Sequence, residues 1–388
     1  MKIVHIAPNS PYNDYWGYQD NLLPKYHKKL GYDVTILVTC ASHKEGKIVE
    51  VSPNDYLLND GVRVVRLPIK KFPTRWLTGW HSHMNVMPYL KEIEPDFIFF
   101  HGLVSTTIFE AIRYKRKYNP DCIIVQDNHL DYNIGHKFST LKQKITRAFF
   151  RTINRRSIKY VKRVYGVTPW RKTYAEDYFK IPKNKTDVLI MGADDEKIDF
   201  ENRNNIRCQV RETYGISEDN FLIVTGGKLD RKKKVESLME AVGKLPDVKL
   251  MIFGQVDDDV RADFDSLIKK YNNIVYVGWI KADEVYDYFF AADLVFFSGQ
   301  HSVLWEQACA SKTPCVFSRW DGMDHVNNDG NARLIDDVTV SGISECIRSL
   351  LFTADYDHMK YVAQSENTDI YLYSKIAERS LECLENNN

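Results

Sequence analysis

The chain has no excess of charge, no cysteine pattern and no long apolar run, and each absence removes a class of function. Its 53 Lys and Arg against 52 Asp and Glu leave a formal charge of +1. A general nucleic-acid binder carries a strong basic excess, so no nucleic-acid partner is expected. Seven cysteines (Cys40, Cys122, Cys208, Cys309, Cys315, Cys346 and Cys383) are scattered, odd in number and form no Cys-x-x-Cys pair. They read as reduced thiols of a cytoplasmic protein, not as a disulfide framework or a zinc site. Nothing approaches the roughly 20 apolar residues of a membrane span, and Lys2 leads directly into an apolar run ended by Pro8, which is no signal peptide. On that expectation the sequon at Asn184-Lys185-Thr186 is accidental. No Asp-x-Asp lies in a strand-exit loop, so no metal is expected, and Asp257, Asp258 and Asp259 read as a solvated turn.

What is present is an ordinary globular composition, 44% hydrophobic and 27% charged over 388 residues. That length suits about two to three domains. Short β-rich runs alternate with helical segments, the pattern of an α/β chain with parallel sheets covered on both faces. The first half predicts strands at 2–7, 33–39, 62–67, 96–101, 122–126, 163–167 and 187–190. The second half predicts them at 221–225, 248–253, 274–277, 294–297, 314–317 and 332–335. Between the halves, 191–207 is polar and poor in aliphatic residues, as an interdomain linker would be. The tail 386–388 is expected to be disordered. No sequence repeat relates the halves.

Two constellations in the second half carry chemistry. Leu294 to Phe297 is a buried strand, Ser298, Gly299, Gln300, His301 and Ser302 form a small polar exit, and Val303 to Ala310 turns helical through Leu304. Loop amides and a helix N-terminus are unsatisfied donors suited to phosphate. Glu306 either accepts ribose hydroxyls or merely complements the helix dipole. Earlier, Val224 to Leu238 (VTGGKLDRKKKVESL) joins a strand to Gly226 and Gly227, then to Lys228 and Lys233 flanking a basic turn. Diglycine admits close backbone approach, and two lysines five apart around a turn can converge on a diphosphate. Arg231, Lys232 and Lys234 read as solvated charge.

Together these motifs resemble the retaining glycosyltransferases of family 4, which have the GT-B fold, over most of the chain. Members read Gly-Arg-Leu, three residues, then Lys-Gly; here Gly227, Lys228 and Leu229 precede Lys233. The resemblance implies that Lys228 and Lys233 clamp the donor diphosphate. Lys in place of Arg keeps the charge but loses the bidentate fork. Members also have two glutamates with seven residues between them, the first near the donor sugar and the second on the ribose. Glu306 fits the second, while Ser298 stands at the first, leaving Gln300 or His301 as substitutes. Trp320 to His325 and Asn328 to Leu334 resemble the loop and glycine turn that follow the family's donor site.

The resemblance further implies two facing Rossmann-like domains, 1–192 with a returning helix 371–388 for the acceptor, and 193–370 for the nucleotide sugar. In the first, Gly17 stands where members have a glycine-rich turn, with Trp16 and Tyr18 placed to stack on sugar or to pack. Gln126 to Tyr132 (QDNHLDY) leaves a strand carrying His129, which the resemblance assigns to the reacting sugar, with Asp127 and Asp131 as orienting or acceptor-binding acids. His101 reads as structural.

The implied reaction moves a sugar from a nucleoside diphosphate, UDP before GDP, to a hydroxyl with retention, using neither cofactor nor metal. The implied setting is cell-surface polysaccharide biosynthesis with a glycan or lipid-linked acceptor. From His136 to Arg163 ten Lys or Arg residues interleave with Phe149, Phe150, Ile153, Ile158 and Val161. That stripe suits peripheral contact with the anionic inner face of the cytoplasmic membrane. The rivals are a nucleotide-sugar epimerase on the same fold and a catalytically degenerate GT-B scaffold, the latter suggested by Ser298.

Overall fold

The structure, a computed structural model, describes residues 1–70, 83–132 and 140–384. The chain forms two compact units. One takes Met1–Ile190 and the segment from Ile376, and the other takes Met191–Lys375.

The first unit has strands β1 (Lys2–Ala7), β2 (Asp33–Thr39), β3 (Ala41–Lys44), β4 (Lys47–Glu50), β5 (Asn54–Leu57), β6 (Arg63–Leu67), β7 (Ile69–Lys70), β8 (His83–Met84), β9 (Phe97–Phe100), β10 (Ile123–Asn128), β11 (Arg163–Gly166) and β12 (Thr186–Val188). Eight form one sheet in the order β12-β11-β10-β9-β1-β2-β6-β5. All neighbours are parallel except the edge strand β5, which runs antiparallel to β6. Central parallel strands are covered on both faces, so they read as unbroken apolar runs, and Phe97, Ile98, Phe99 and Phe100 of β9 are all fully buried. Helices α1 (Gln19–Lys29), α2 (Met87–Ile93), α3 (Ile108–Lys117), α4 (Leu141–Ser157) and α5 (Pro169–Phe179) accompany the sheet.

Helix α4 turns most of the apolar stripe of the basic segment away from solvent. Thr140 and Gln143 form a reciprocal cap at its start. Its stripe then turns inward: Phe150, Ile153 and the following Val161 are buried in the core, with Phe149 and Ile158 packed against it. The apolar positions that suggested a lipid-facing surface are the docking face of the helix. Leu141 and Ile145 remain exposed, beside Lys144. The beginning of the basic segment, 136–139, and the tail 386–388 lie outside the described residues. No helix among the described residues is long and apolar enough to cross a membrane.

The second unit has β13 (Phe221–Leu229), β14 (Val248–Val256), β15 (Ile274–Gly278), β16 (Leu294–Phe297), β17 (Cys315–Ser318) and β18 (Ala332–Ile335). They form one parallel sheet in the order β15-β14-β13-β16-β17-β18. Its helices are α6 (Arg203–Thr213), α7 (Val235–Gly243), α8 (Arg261–Lys270), α9 (Val285–Ala291), α10 (Leu304–Ala310), α11 (Val340–Leu350) and α12 (Ala354–Gln364), while the final helix α13 (Tyr373–Leu381) starts in this unit and from Ile376 belongs to the first. Strand order reverses direction between β13 and β16, and the carboxyl ends of strands at such a reversal open a ligand crevice. In the first unit the same reversal falls between β1 and β9.

The expected linker is not a linker. Helix α6 begins within it, and Arg211, 1% exposed, donates to the carbonyls of Ala291 at 2.8 Å and Asn220 at 2.5 Å. Arg203 donates to the carbonyl of Ser311 at 2.9 Å and Arg207 to that of Ala291 at 3.0 Å. A polar stretch thus serves as a helix whose guanidinium groups satisfy loop carbonyls. Ala193 pairs with Leu372 and accepts the Tyr373 amide at 2.9 Å, which ties both ends of the second unit together.

Candidate active site

At the reversal in the second unit, β13 continues through the diglycine instead of turning there. Gly227 pairs with Gly254 in register, with φ of 111° and 110°. A Cβ on Gly254 would sit 2.0 Å from the Gly227 carbonyl oxygen, and one on Gly226 would sit 2.4 Å from the Phe253 ring. These positions need glycine for close strand approach and left-handed backbone. A Cβ on Gly227 would meet Leu304 at 2.8 Å, so the start of α10 lies over the diglycine.

The turn after β13 and the loop after β16 are joined residue by residue. Ser298 Oγ shares its proton between the carbonyls of Lys233 and Lys234, at 3.1 and 3.0 Å. The Gln300 amide donates to Lys232 O at 3.0 Å. Lys233 Nζ donates to Gln300 O at 2.5 Å. Gly299 is held so near that a Cβ would lie 2.3 Å from Lys232 O. From the other side Ser318 Oγ donates to Gly299 O at 2.6 Å. Ser298 therefore braces the basic turn through its only proton, which leaves its oxygen lone pairs as the remaining hydrogen-bonding capacity of the hydroxyl.

The two lysines occupy different surroundings. Lys233 is half-buried, and desolvation draws its pKa down despite the charge of Asp230. Lys228 is exposed and pairs with Asp257 at 3.0 Å, a bond that raises its pKa. Asp257 is thus a partner of Lys228, and Asp259 accepts the Arg231 amide at 3.3 Å, so the acidic run is not simply solvated. Arg231 also pairs with Asp263 at 2.9 Å and Glu236 at 3.3 Å.

Glu306 sits in the first turn of α10 and is fully buried. Its Oε1 accepts from His301 Nε2 and from His325 Nε2, each at 2.8 Å. Burial favours the protonated acid, but the two histidines outweigh it and bring the pKa down to about 2. Oε2 is buried with no protein partner. A charged acceptor partnered at one oxygen and unpartnered at the other retains hydrogen-bonding capacity suited to a hydroxyl. Helix α10 has only 7 residues, so its dipole contributes less than the sequence pattern suggested. Ser302 and Val303 accept the first amides of the turn, from Trp305 and Gln307, both at 3.0 Å. His325 was missed as a site residue because it lies in another loop. The ligating atoms of His301, Glu306 and His325 lie within 4.8 Å of one another, a donor set also able to hold a divalent ion, which nothing in the sequence suggested.

In the first unit the strand-end acids are already engaged. Asp127, fully buried, accepts from His101 Nδ1 at 2.7 Å and the Gly102 amide at 2.7 Å, and pairs with His129 Nε2 at 3.3 Å. Burial opposes its charge, yet His101 and His129 prevail and hold it well below the usual carboxylate range. Both oxygens of Asp127 are thus engaged within the protein, as an orienting acid's would be. Asp131 pairs with Arg171 at 3.6 Å. His129 has a side chain 43% exposed and is the group of this cluster open to a ligand. Gly17 has nothing within 4 Å of a built Cβ; the left-handed residue of its loop is Tyr15, at φ 61°. Trp16, partly buried, stacks on His43 at 5.3 Å and meets Tyr18 edge-on at 5.2 Å, and Tyr18 is exposed. Asn9 and Gln19, unremarked in the sequence, bury side-chain amides without a protein partner.

Residues 22–197 match the family model for Glycosyltransferase Family 4, and residues 207–365 match that for Glycosyl transferases group 1. The chain belongs to the family 4, group 1 glycosyltransferases. Among curated proteins it is similar to an uncharacterized glycosyltransferase of Methanocaldococcus jannaschii, 22% identical over 201 residues, which are 50% of this chain and 51% of that protein. The match thus spans about half the length of that relative. Among solved structures it is similar to sucrose-phosphate synthase from Thermosynechococcus elongatus, with TM-score 0.66 and 14% identity over 99% of this chain and 98% of the other. It is also similar to Anabaena HepE in complex with UDP and glucose, with TM-score 0.65 and 15% identity over 100% of both chains. At these identities the likeness is one of fold: the glycosyltransferase has the GT-B fold class, with two Rossmann-like units.

Proposed function

We propose that this glycosyltransferase moves a hexosyl group from a nucleoside-diphosphate sugar, UDP-linked by preference, to a hydroxyl of a glycan or lipid-linked acceptor. The transfer retains configuration, requires no divalent metal and serves cell-surface polysaccharide biosynthesis. The observation that carries the reading is the brace between two strand-exit loops. It fixes a partly desolvated Lys233 ammonium in the same unit as Glu306, whose second oxygen has no protein partner. HepE, similar in fold, has been seen with UDP and glucose, which favours UDP.

In this reading Lys233 and Lys228 neutralise the charge that grows on the departing diphosphate, and Glu306 Oε2 accepts ribose hydroxyls. Preorganised charge of this kind is worth about 3 kcal/mol per donor in comparable sites. His129, oriented by Asp127, is the contact to the reacting sugar. The bond from the anomeric carbon to the diphosphate oxygen breaks, and a bond to the acceptor oxygen forms on the same face. The acceptor proton passes to the leaving phosphate, so no side chain is needed as base. For membrane contact, Leu141 and Ile145 beside Lys144 are the surface that remains.

Donor turnover with water in place of acceptor tests the reading. Incubation with UDP-, GDP- and ADP-hexoses in EDTA is expected to release UDP slowly, with the free sugar first appearing in the donor's anomeric form by proton NMR. An intact nucleotide carrying an epimerised sugar, or no donor consumed, would contradict it.

A further inference from the structure

Behind His129 a single hydrogen-bonded line runs through the first unit to its C-terminal helix. Asp127 Oδ2 and His101 Nδ1 are 2.7 Å apart, and His101 Nε2 and His5 Nδ1 3.1 Å. His5 Nε2 and His27 Nδ1 follow at 3.0 Å, then His27 Nε2 and Ser380 Oγ at 2.8 Å. Ser380 Oγ in turn lies 2.8 Å from Ala377 O. His5, His27, Asp127 and Ser380 are fully buried and His101 nearly so. Phe99 stacks on His5 at 5.5 Å and lies tilted against His101 at 4.8 Å. From the sequence alone His101 reads as structural, and nothing there singles out His5 or His27.

Each link has room for one proton, so the direction of one link sets the next. An ionised carboxylate only accepts, which puts a proton on His101 Nδ1. If His101 also carries a proton on Nε2, His5 accepts at Nδ1 and donates from Nε2. His27 then does the same, and Ser380 passes its own proton to Ala377 O. If His101 lacks that proton, every link reverses, and Ser380 donates to His27 instead. A mixed state with no extra proton leaves two protons or two lone pairs facing each other in a dry interior.

We propose that His101, His5 and His27 are positioning residues forming a one-proton relay, which joins Asp127 and His129 to Ser380 on α13 and changes protonation as a unit. The surroundings favour the extra proton and its place on His101. Burial, then the neighbouring histidines, hold His5 well below the ordinary histidine value. Burial brings His27 down to about 3, although its bond to the Ala377 backbone opposes the shift. At His101 burial also lowers the pKa, but Asp127 reverses the balance and raises it, with Asp20 of α1 adding to the effect. Tyr165 of β11 donates to Ser380 O at 3.5 Å, with Cys383 beside it, at the other end. With the cation on His101, Asp127 stays ionised and receives the His129 Nε2 proton, which leaves Nδ1 as that ring's acceptor. Only this service to His129 rests on the transferase reading; the relay itself does not.

The test is long-range proton–nitrogen correlation of the histidine rings in the full chain labelled with [15N]histidine, between about pH 6 and 10. At the acid end His101 is expected to be protonated on both nitrogens, and His5 and His27 on Nε2. As pH rises, His101 loses its Nε2 proton while His5 and His27 pass to the Nδ1 form, all three with one midpoint above the ordinary histidine value. His5→Phe cuts the line, and His27 then ceases to follow His101; if that variant does not fold, the titration of the unaltered chain decides alone. Fixed tautomers at His5 and His27 while His101 titrates, separate midpoints, or no change in any ring would overturn the relay.

Discussion

Lys233→Met lowers kcat/KM for the nucleotide sugar by about 10²- to 10³-fold, the loss found when one preorganised donor to a developing charge is removed. Three protons are carried by the Lys233 ammonium, and one is spent on Gln300 O at 2.5 Å. The others are available to phosphate oxygens. Partial burial has already removed some of the water that would compete, as the lowered pKa records. Methionine keeps the stem and loses the charge. Lys228→Met is expected to cost no more than about 10-fold, because that ammonium is exposed and shared with Asp257. Steady-state kinetics on both variants, with thermal denaturation as the control for folding, separate charge from structure. Equal losses at the two positions would contradict this ranking.

Glu306→Ala produces the largest loss of stability, about 3–5 kcal/mol, because it leaves two buried imidazoles without their shared acceptor. The pH dependence has a definite sign. The pKa of Glu306 in the folded chain is about 2 against 4.5 ordinarily. Its contribution is therefore complete above about pH 4.5 and is lost as pH falls through about 2, and it amounts to about 3 kcal/mol. Urea denaturation at neutral pH and at about pH 3 is expected to bring the variant closer to the unaltered chain at the lower value. Glu306→Gln, which keeps an oxygen for the two histidines, should retain most of the stability yet weaken UDP binding at least about 10-fold. A glutamine variant that binds UDP as tightly as the parent would remove Glu306 from the ribose role.

Much of this was legible in the sequence because central strands of parallel sheets are apolar without interruption. Phe97 to Phe100 and Leu294 to Phe297 could be assigned at their correct places for that reason. Strand ends were less legible. Gly226 and Gly227 look like a turn, yet their pairing with Phe253 and Gly254 carries β13 on to Leu229. Arg203 and Arg207 read as linker polarity, since the carbonyls they bind lie far along the chain. Phe150 and Ile153 looked lipid-facing because a helix's apolar stripe does not say what covers it. The same limit applied at the site. Lys228, Lys233 and Glu306 stand in local patterns, but His325 reaches Glu306 from another loop, and the partners of Ser298 are backbone atoms without sequence identity.

The most direct measurement is calorimetric titration of the full chain with UDP, GDP, ADP and CMP, each with magnesium and with EDTA. Binding of UDP that is unchanged by EDTA and much weaker in Lys233→Met is the result this account predicts. Failure of every nucleotide to bind, or binding of UDP only with magnesium, would contradict a donor site built on lysines and a carboxylate.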